Sequence, residues 1–427
     1  MSFIKKCGTL PPLKLYCVLK PLPGTSFFKI FMLGVAQIFL WGGSYFLLPV
    51  LSASIIAEFN WPEKFLSACL SMSLLISGLI APRVGKLIGQ YDKNYILLLS
   101  GMVMAFGLML LYATTGPVCF VVAWVVLGIA MGMGLYDALF ASIGKKYGRV
   151  SGKLIVQLTL VSGFTTTLIW PLLTFLLHHY GWRMSCLIYG VLLLLITLPV
   201  HFFTLFKRSA QETLPADEKM PASKTKPQVV RIKKDSVYYL LVCNFSLGSV
   251  VMTSVYLYLI AFFVTNKLSM EQAVFMAAFL GPGQVSVRLL DTVIRQKPPI
   301  IKAIFSACLI MAGLILLRVL PGYGYIGVFL FGFGNGLRSI LRGALPLKYY
   351  RKEAYPVAIG SLARLPLIAQ ALTPLLAGIF IYYWDINAFM VFNILLALLN
   401  IVPPFILLYW KIRPDKVKSA ERWFIER

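Results

Sequence analysis

Twelve runs of about twenty predominantly apolar residues leave this chain few ways to fold, because each is long enough to cross a bilayer core of about 30 Å as an α-helix. The runs are Phe27–Leu51, Phe65–Val84, Tyr95–Thr114, Val118–Ser142, Gly152–Leu177, Trp182–Phe206, Val237–Val264, Glu271–Leu290, Ile300–Leu320, Tyr325–Leu347, Pro356–Trp384 and Ile386–Trp410. Backbone in hydrocarbon must satisfy its own hydrogen bonds, so only helices or a closed barrel can span. Barrel strands would be half as long and would alternate polar with apolar residues; these runs do neither. A mean hydropathy of +0.82 agrees with an all-α polytopic membrane chain.

The net charge of +25 would suggest nucleic acid in a soluble protein, but its distribution points elsewhere. Lys and Arg crowd into the tails and every second connection, whereas the opposite connections hold only Lys64, Arg183, Lys267 and Arg318. That asymmetry places both termini in the cytoplasm and sets the basic loops against anionic headgroups, with no nucleic-acid partner. The first 26 residues carry Lys5, Lys6, Lys14 and Lys20 among prolines with no separate short apolar stretch, so the first span is expected to serve as its own insertion signal. The seven cysteines are scattered without disulfide or metal spacing and read as small packing residues. His178 and His179 are adjacent in a short loop and do not converge on one ion.

One polar connection, Lys207–Asp235, divides six spans from six. The expected organisation is a tail (1–26), a six-helix bundle (27–206), a basic linker (207–236), a second bundle (237–410) and a basic tail (411–427). No G-x-x-x-x-G-K-[ST] sequence is present to cradle ATP phosphates, no cofactor is expected, and no catalytic constellation appears. The halves repeat: Gly132-Met133-Gly134-Leu135 recurs 202 residues later as Gly334-Asn335-Gly336-Leu337, and Trp170-Pro171-Leu172-Leu173 is answered by Thr373-Pro374-Leu375-Leu376. Ordered repeats in a membrane chain mark a transporter built from pseudo-symmetric halves.

Arg83-Val84-Gly85-Lys86-Leu87-Ile88-Gly89-Gln90-Tyr91-Asp92-Lys93, between the second and third spans, resembles the G-x-L-x-D-[RK]-x-G-[RK] loop of the major facilitator superfamily of secondary transporters. Tyr180-Gly181-Trp182-Arg183, the glycines of the fourth span and Trp170-Pro171 in the fifth are also similar to that family, in a bacterial branch. The chain departs from the pattern where Gly89 stands at the loop's Asp and Asp92 at its second Gly. The family's Arg in the fourth span falls on Trp124, and the Gly-Pro motif of antiporters is reduced to Gly163 and a later Pro171. The resemblance implies two six-helix bundles, a multi-pass protein of the bacterial inner membrane, and a central cavity lined by spans 1, 4, 7 and 10.

Ionisable groups inside a bilayer are costly, so Asp137, Arg338 and Arg364 are functional candidates. Asp137 and Arg338 are expected to pair when the cytoplasmic side closes; the bland reading has Asp137 at Lys145 and Arg338 snorkelling. Arg364 is expected to pair with Asp291 or Asp92, and Lys86 and Arg288 join these acids in the gate. Gln37, Trp41 and Tyr45 recur every four residues and should share a face of the first helix. With Tyr136, Trp170, Asn244, Asn335, Arg338 and Gln370 they form the expected cavity lining. Two arginines against one aspartate favour a small anionic solute such as a carboxylate, and Asp137 offers a route to proton coupling. The sequence-based reading is a monomeric secondary transporter working by alternating access. Efflux of amphiphilic drugs or siderophores, and a non-transporting sensor or assembly partner on the same fold, remain open alternatives.

Overall fold

The structure, a computed structural model, describes residues 27–91, 95–148, 151–206, 232, 234–293 and 298–412. Among these, every regular element is helical. The elements are α1 (Phe27–Gly42), α2 (Leu48–Phe59), α3 (Glu63–Gln90), α4 (Tyr95–Tyr112), α5 (Pro117–Gly134), α6 (Tyr136–Tyr147), α7 (Ser151–Ser162), α8 (Thr165–His201), α9 (Ser236–Thr265), α10 (Met270–Ala277), α11 (Leu280–Val293), α12 (Pro299–Val319), α13 (Gly324–Ala344), α14 (Tyr355–Trp384), α15 (Ile386–Leu399) and α16 (Val402–Ile412).

Nine helices among the described residues are long and apolar enough to cross a membrane. Three features carry this number to twelve crossings. The stretch Ser151–Thr204 holds two spans, turned at Gly181, whose φ of 74° and ψ of 167° suit a residue without Cβ. The first span is split into α1 and α2, each too short by itself. In α13 the apolar run is interrupted by Asn335, Arg338, Ser339 and Arg342.

The splitting of spans departs from the unbroken helices expected from sequence. The first span stops at Gly42 and resumes at Leu48, the fourth breaks at Leu135, whose backbone is extended, and the fifth breaks between Ser162 and Thr165. Carbonyls freed inside a bilayer must find donors. At the first break Tyr189 Oη donates to Phe39 O (3.0 Å) and Ser44 Oγ to Leu40 O (2.7 Å). At the second, Gln37 Nε2 donates to Gly134 O (2.7 Å); at the third, Ser162 Oγ donates to Leu158 O (3.0 Å) and Thr165 Oγ1 to Ser162 O (2.6 Å).

The described residues form two compact units, one drawn from 27–232, 288–293 and 346–371, the other from 234–287, 298–345 and 372–412. The first has two apolar clusters. One is built on Phe120, Trp124, Tyr189 and Leu193, and the other on Leu139, Phe140, Leu158 and Tyr355. In this unit α3 and the first half of α14 cross at glycines. A Cβ on Gly85 would stand 2.5 Å from Pro356 O and 3.0 Å from Gly360 Cα, so the backbones touch. Lys145 Nζ donates to Ile88 O (3.1 Å) and Tyr91 O (2.9 Å), capping the carboxyl end of α3 with a cation.

The second unit is centred on Phe262, Phe263, Leu314, Val328 and Phe331. Its α12–α13 contact is again backbone to backbone, with Gly313 against Gly327 O and Phe331 N, each 2.7 Å from an added Cβ. Ser306 Oγ donates to Gly334 O (2.7 Å) across the same contact.

Packing sets the internal repeat in a different register from the sequence match. Gly128 lies against Ser73 O and Gly132 against Ser77 O and Ile80; Gly332 lies against Leu280 O and Gly336 against Gln284 O and Val287. Leu127, held by Gly107, likewise answers Phe331, held by Gly313. The structural offset between α5 and α13 is therefore 204 residues rather than 202, and Arg338 answers Gly134, not Tyr136.

Candidate functional site

Each unit concentrates polar groups at one locus. In the first, the breaks in the first, fourth and fifth spans bring Gln37, Trp41, Tyr136 and Ser162 together. Gln37 and Trp41, one helical turn apart, share a face of α1. The Trp41 ring lies 5.2 Å from that of Tyr136, and Tyr136 Oη donates to Ser162 Oγ (2.7 Å). Gln37 is fully buried, and its Oε1 and the indole Nε1 of Trp41 make no hydrogen bond among the described residues. Buried polar atoms left in this state are uncommon and call for a role. Arg288, 4% exposed, runs beside Gly163 at the third break and within electrostatic reach of Tyr136. A cation there also faces the carboxyl end of α7, where the helix dipole is negative.

Tyr45 belongs to this neighbourhood by a different route from the one expected. The helix has ended at Gly42, so Tyr45 sits in the following turn, its ring 6.0 Å from Trp41 and 5.3 Å from Phe46. Trp170, 43% exposed, meets Phe46 edge-on at 6.2 Å. Sequence reasoning did not single out Phe46, Ser162 or Tyr189; the Gly42-Gly43 pair and Gly163 were the available signals.

In the second unit the locus is Arg338. Its side chain crosses α9 at Gly248, where a Cβ would stand 2.7 Å from Arg338 Cδ, so only glycine leaves the passage open. Arg338 Nε donates to Asn335 Oδ1 (3.0 Å) and a terminal nitrogen donates to Met252 Sδ (3.0 Å). Tyr256, which accepts a short hydrogen bond from Gln284 Nε2, and Arg342 are within electrostatic reach. Arg338 is 8% exposed, and among the described residues no carboxylate pairs with it. A buried guanidinium held only by neutral groups and facing a second cation is costly, and its donors suit a planar anion.

The other predicted residues fall as follows. Asn244 is buried and donates to Asn400 Oδ1 (2.9 Å), which makes it a tie within the second unit. Gln370 is buried in α14. Asp137 is half-buried in the first turn of α6, where a helix amino terminus favours an acid, and interacts electrostatically with Tyr355. Lys86 and Arg364 are exposed. Asp92 and the side chain of Asp291 lie outside the described residues. His179 Nδ1 is 2.9 Å from Phe175 O, and among the described residues no group of acids, histidines and cysteines could hold a metal.

Twelve apolar crossings and interrupted helices whose freed carbonyls are re-satisfied by side chains define a polytopic membrane protein with buried polar loci. The family comparison names it: residues 33–365 match the Major Facilitator Superfamily, and the chain belongs to that family of transporters. Among solved structures, the human organic anion transporter MFSD10 (TETRAN) is 16% identical, with a TM-score of 0.66 over 88% of this chain and 98% of that one. The transporter FucP in the outward conformation is 13% identical, with a TM-score of 0.69 over 88% and 98%. The proton:xylose symporter XylE is 13% identical, with a TM-score of 0.67 over 90% and 95%. These likenesses share the fold. No curated protein sequence matches the chain.

Proposed function

We propose that the chain is a secondary active transporter of a small organic anion, with a carboxylate or similar planar anionic group as the feature recognised. The observation that carries this reading is Arg338, buried and, among the described residues, bonded only to Asn335 and Met252. An arriving carboxylate would supply the missing counter-charge through a bidentate pair. The likeness to an organic anion transporter is consistent with this, while the likeness to sugar carriers leaves neutral solutes as the competing class. Within the first unit, Trp41, Tyr45 and Phe46 form an aromatic cluster of their own. Asp137, close to the helix break at Leu135, is the proposed proton-coupling group, and the protein is proposed to act as a monomer in the bacterial inner membrane with both termini cytoplasmic.

A thermal-shift screen of the purified protein against organic acids and matched neutral solutes tests the reading. Stabilisation by an acid, lost in Arg338→Gln, and uptake of that acid by proteoliposomes are the expected results. Stabilisation by neutral sugars alone, retained in Arg338→Gln, would overturn it.

A further inference from the structure

A basic pair sits at the edge of the first unit, away from the loci above. Lys29 lies in the first turn of α1 and Lys146 in the last turn of α6, and the two are within electrostatic range of each other. Both helices contribute to one apolar cluster: Ile30 and Leu33 of α1 belong to it with Leu139, Phe140 and Ile143 of α6, and Val200 of α8 packs against it. Lys146 Nζ donates to Thr204 O (3.2 Å), just beyond the end of α8. Among the described residues neither lysine meets a carboxylate. Two like charges brought together on fixed helices repel unless an anion sits with them.

What flanks the pair indicates where that anion comes from. Phe27, Phe28 and Phe31 on α1 are 37%, 66% and 38% exposed, and Phe202 and Phe203 beside Thr204 are 52% and 56% exposed. These rings occupy the ends of membrane-crossing helices, where an apolar side chain faces lipid rather than water. We infer that Lys29 and Lys146 bind the phosphodiester of an anionic phospholipid, whose acyl chains run down between the two groups of exposed phenylalanines. A free phosphate would satisfy the lysines but leave the rings uncovered.

Native mass spectrometry of the full-length protein with phosphatidylglycerol and phosphatidylcholine tests this directly. Wild-type protein should retain phosphatidylglycerol in preference, and Lys29→Gln, Lys146→Gln and the double variant should each lower that preference, by about fivefold per lysine. Lys64→Gln, in the first turn of α3 and so at the far end of the helix that Lys145 caps, should leave it intact. Inorganic phosphate at matched concentration should give none of the thermal stabilisation that phosphatidylglycerol gives. An unchanged preference in the double variant, an equal loss in Lys64→Gln, or equal stabilisation by phosphate alone would overturn the inference. Because Lys146 also ties down Thr204, Lys29→Gln, which breaks no hydrogen bond among the described residues, decides the matter if Lys146→Gln fails to fold.

Discussion

Replacing Arg338 by methionine should separate a residue kept for binding from one kept for stability. In most proteins deleting a buried, bonded arginine costs 3–5 kcal/mol, about what is lost when a salt-bridge partner is stranded. Among the described residues Arg338 strands no acid: its partners there are Asn335 Oδ1 at 3.0 Å and Met252 Sδ at 3.0 Å. Losing the Asn335 bond costs about 1–3 kcal/mol through the buried acceptor it leaves. Removing an uncompensated buried charge returns several kcal/mol, and methionine fills similar volume along the Gly248 passage. Arg338→Met without substrate should therefore keep its apparent melting temperature or raise it. The loss should appear in binding: charge-assisted bonds are worth about 1.5–3 kcal/mol each, so losing one or two weakens an anionic ligand by roughly 10- to 1,000-fold or more. Scanning fluorimetry of wild type and variant across a titration of the stabilising acid, with proteoliposome uptake alongside, reads both quantities. A substrate-free variant that melts well below wild type, or one that still transports the acid with unchanged KM, would refute the argument.

The remaining predictions concern the first unit. Gln37→Ala should destabilise by about 1–3 kcal/mol, because Gly134 O loses its donor at a break inside the membrane; thermal unfolding equal to wild type would mean that something else satisfies that carbonyl. Gly85→Val places side-chain atoms against Pro356 O and Gly360 Cα, which are backbone and cannot rotate away, so a loss of about 1–3 kcal/mol is expected, and a neutral result would rule out backbone contact at that crossing. At the hydrated end of α2, Glu58 accepts from Arg183 (2.7 Å) and Trp182 Nε1 (2.6 Å), and these bonds hold its carboxyl below the ordinary range. The stability this adds is present above the ordinary carboxylate pKa and is lost as pH falls through the lowered folded value. Glu58→Gln should flatten the fall in melting temperature as pH drops below the ordinary carboxylate range, by at most about 1 kcal/mol because the pair is exposed; identical pH profiles would sink this account.

The spans were legible because hydrocarbon imposes a length and an apolar composition that no other environment demands over twenty residues. Where they break was not, because the signal is a glycine whose consequence depends on a distant donor. Where α5 ends at Gly134, its carbonyl is taken by Gln37, 97 residues earlier. Arg338 was legible as an intramembrane charge, but its neighbours Gly248, Met252 and Tyr256 are one apolar and two weakly polar residues on another helix. Nothing in their types sets them apart from packing. Asn244 is similar: it stands out as a polar residue in an apolar run, but its partner Asn400 lies 156 residues away and no local pattern announces it.

The repeat carries the same lesson in its register. A match of Gly-x-Gly-Leu at 202 residues is the best alignment of letters, yet glycine is selected at helix crossings by which backbone comes close, not by its neighbours in sequence. Gly128 and Gly132 meet successive turns of α3, Gly332 and Gly336 meet successive turns of α11, and these pairs differ by 204. Two residues is more than half a helical turn, so the sequence register would rotate α13 by roughly 200° relative to its true packing face. Under the structural register Arg338 stands where the first half has Gly134. In one half the helix opens there and a backbone carbonyl meets Gln37; in the other it stays closed, no carbonyl is freed, and a side chain must supply the polar group. The two loci are related by descent of position but not of chemistry, an acceptor in one and a donor in the other. A residue's role in one half therefore cannot be carried to its counterpart by symmetry.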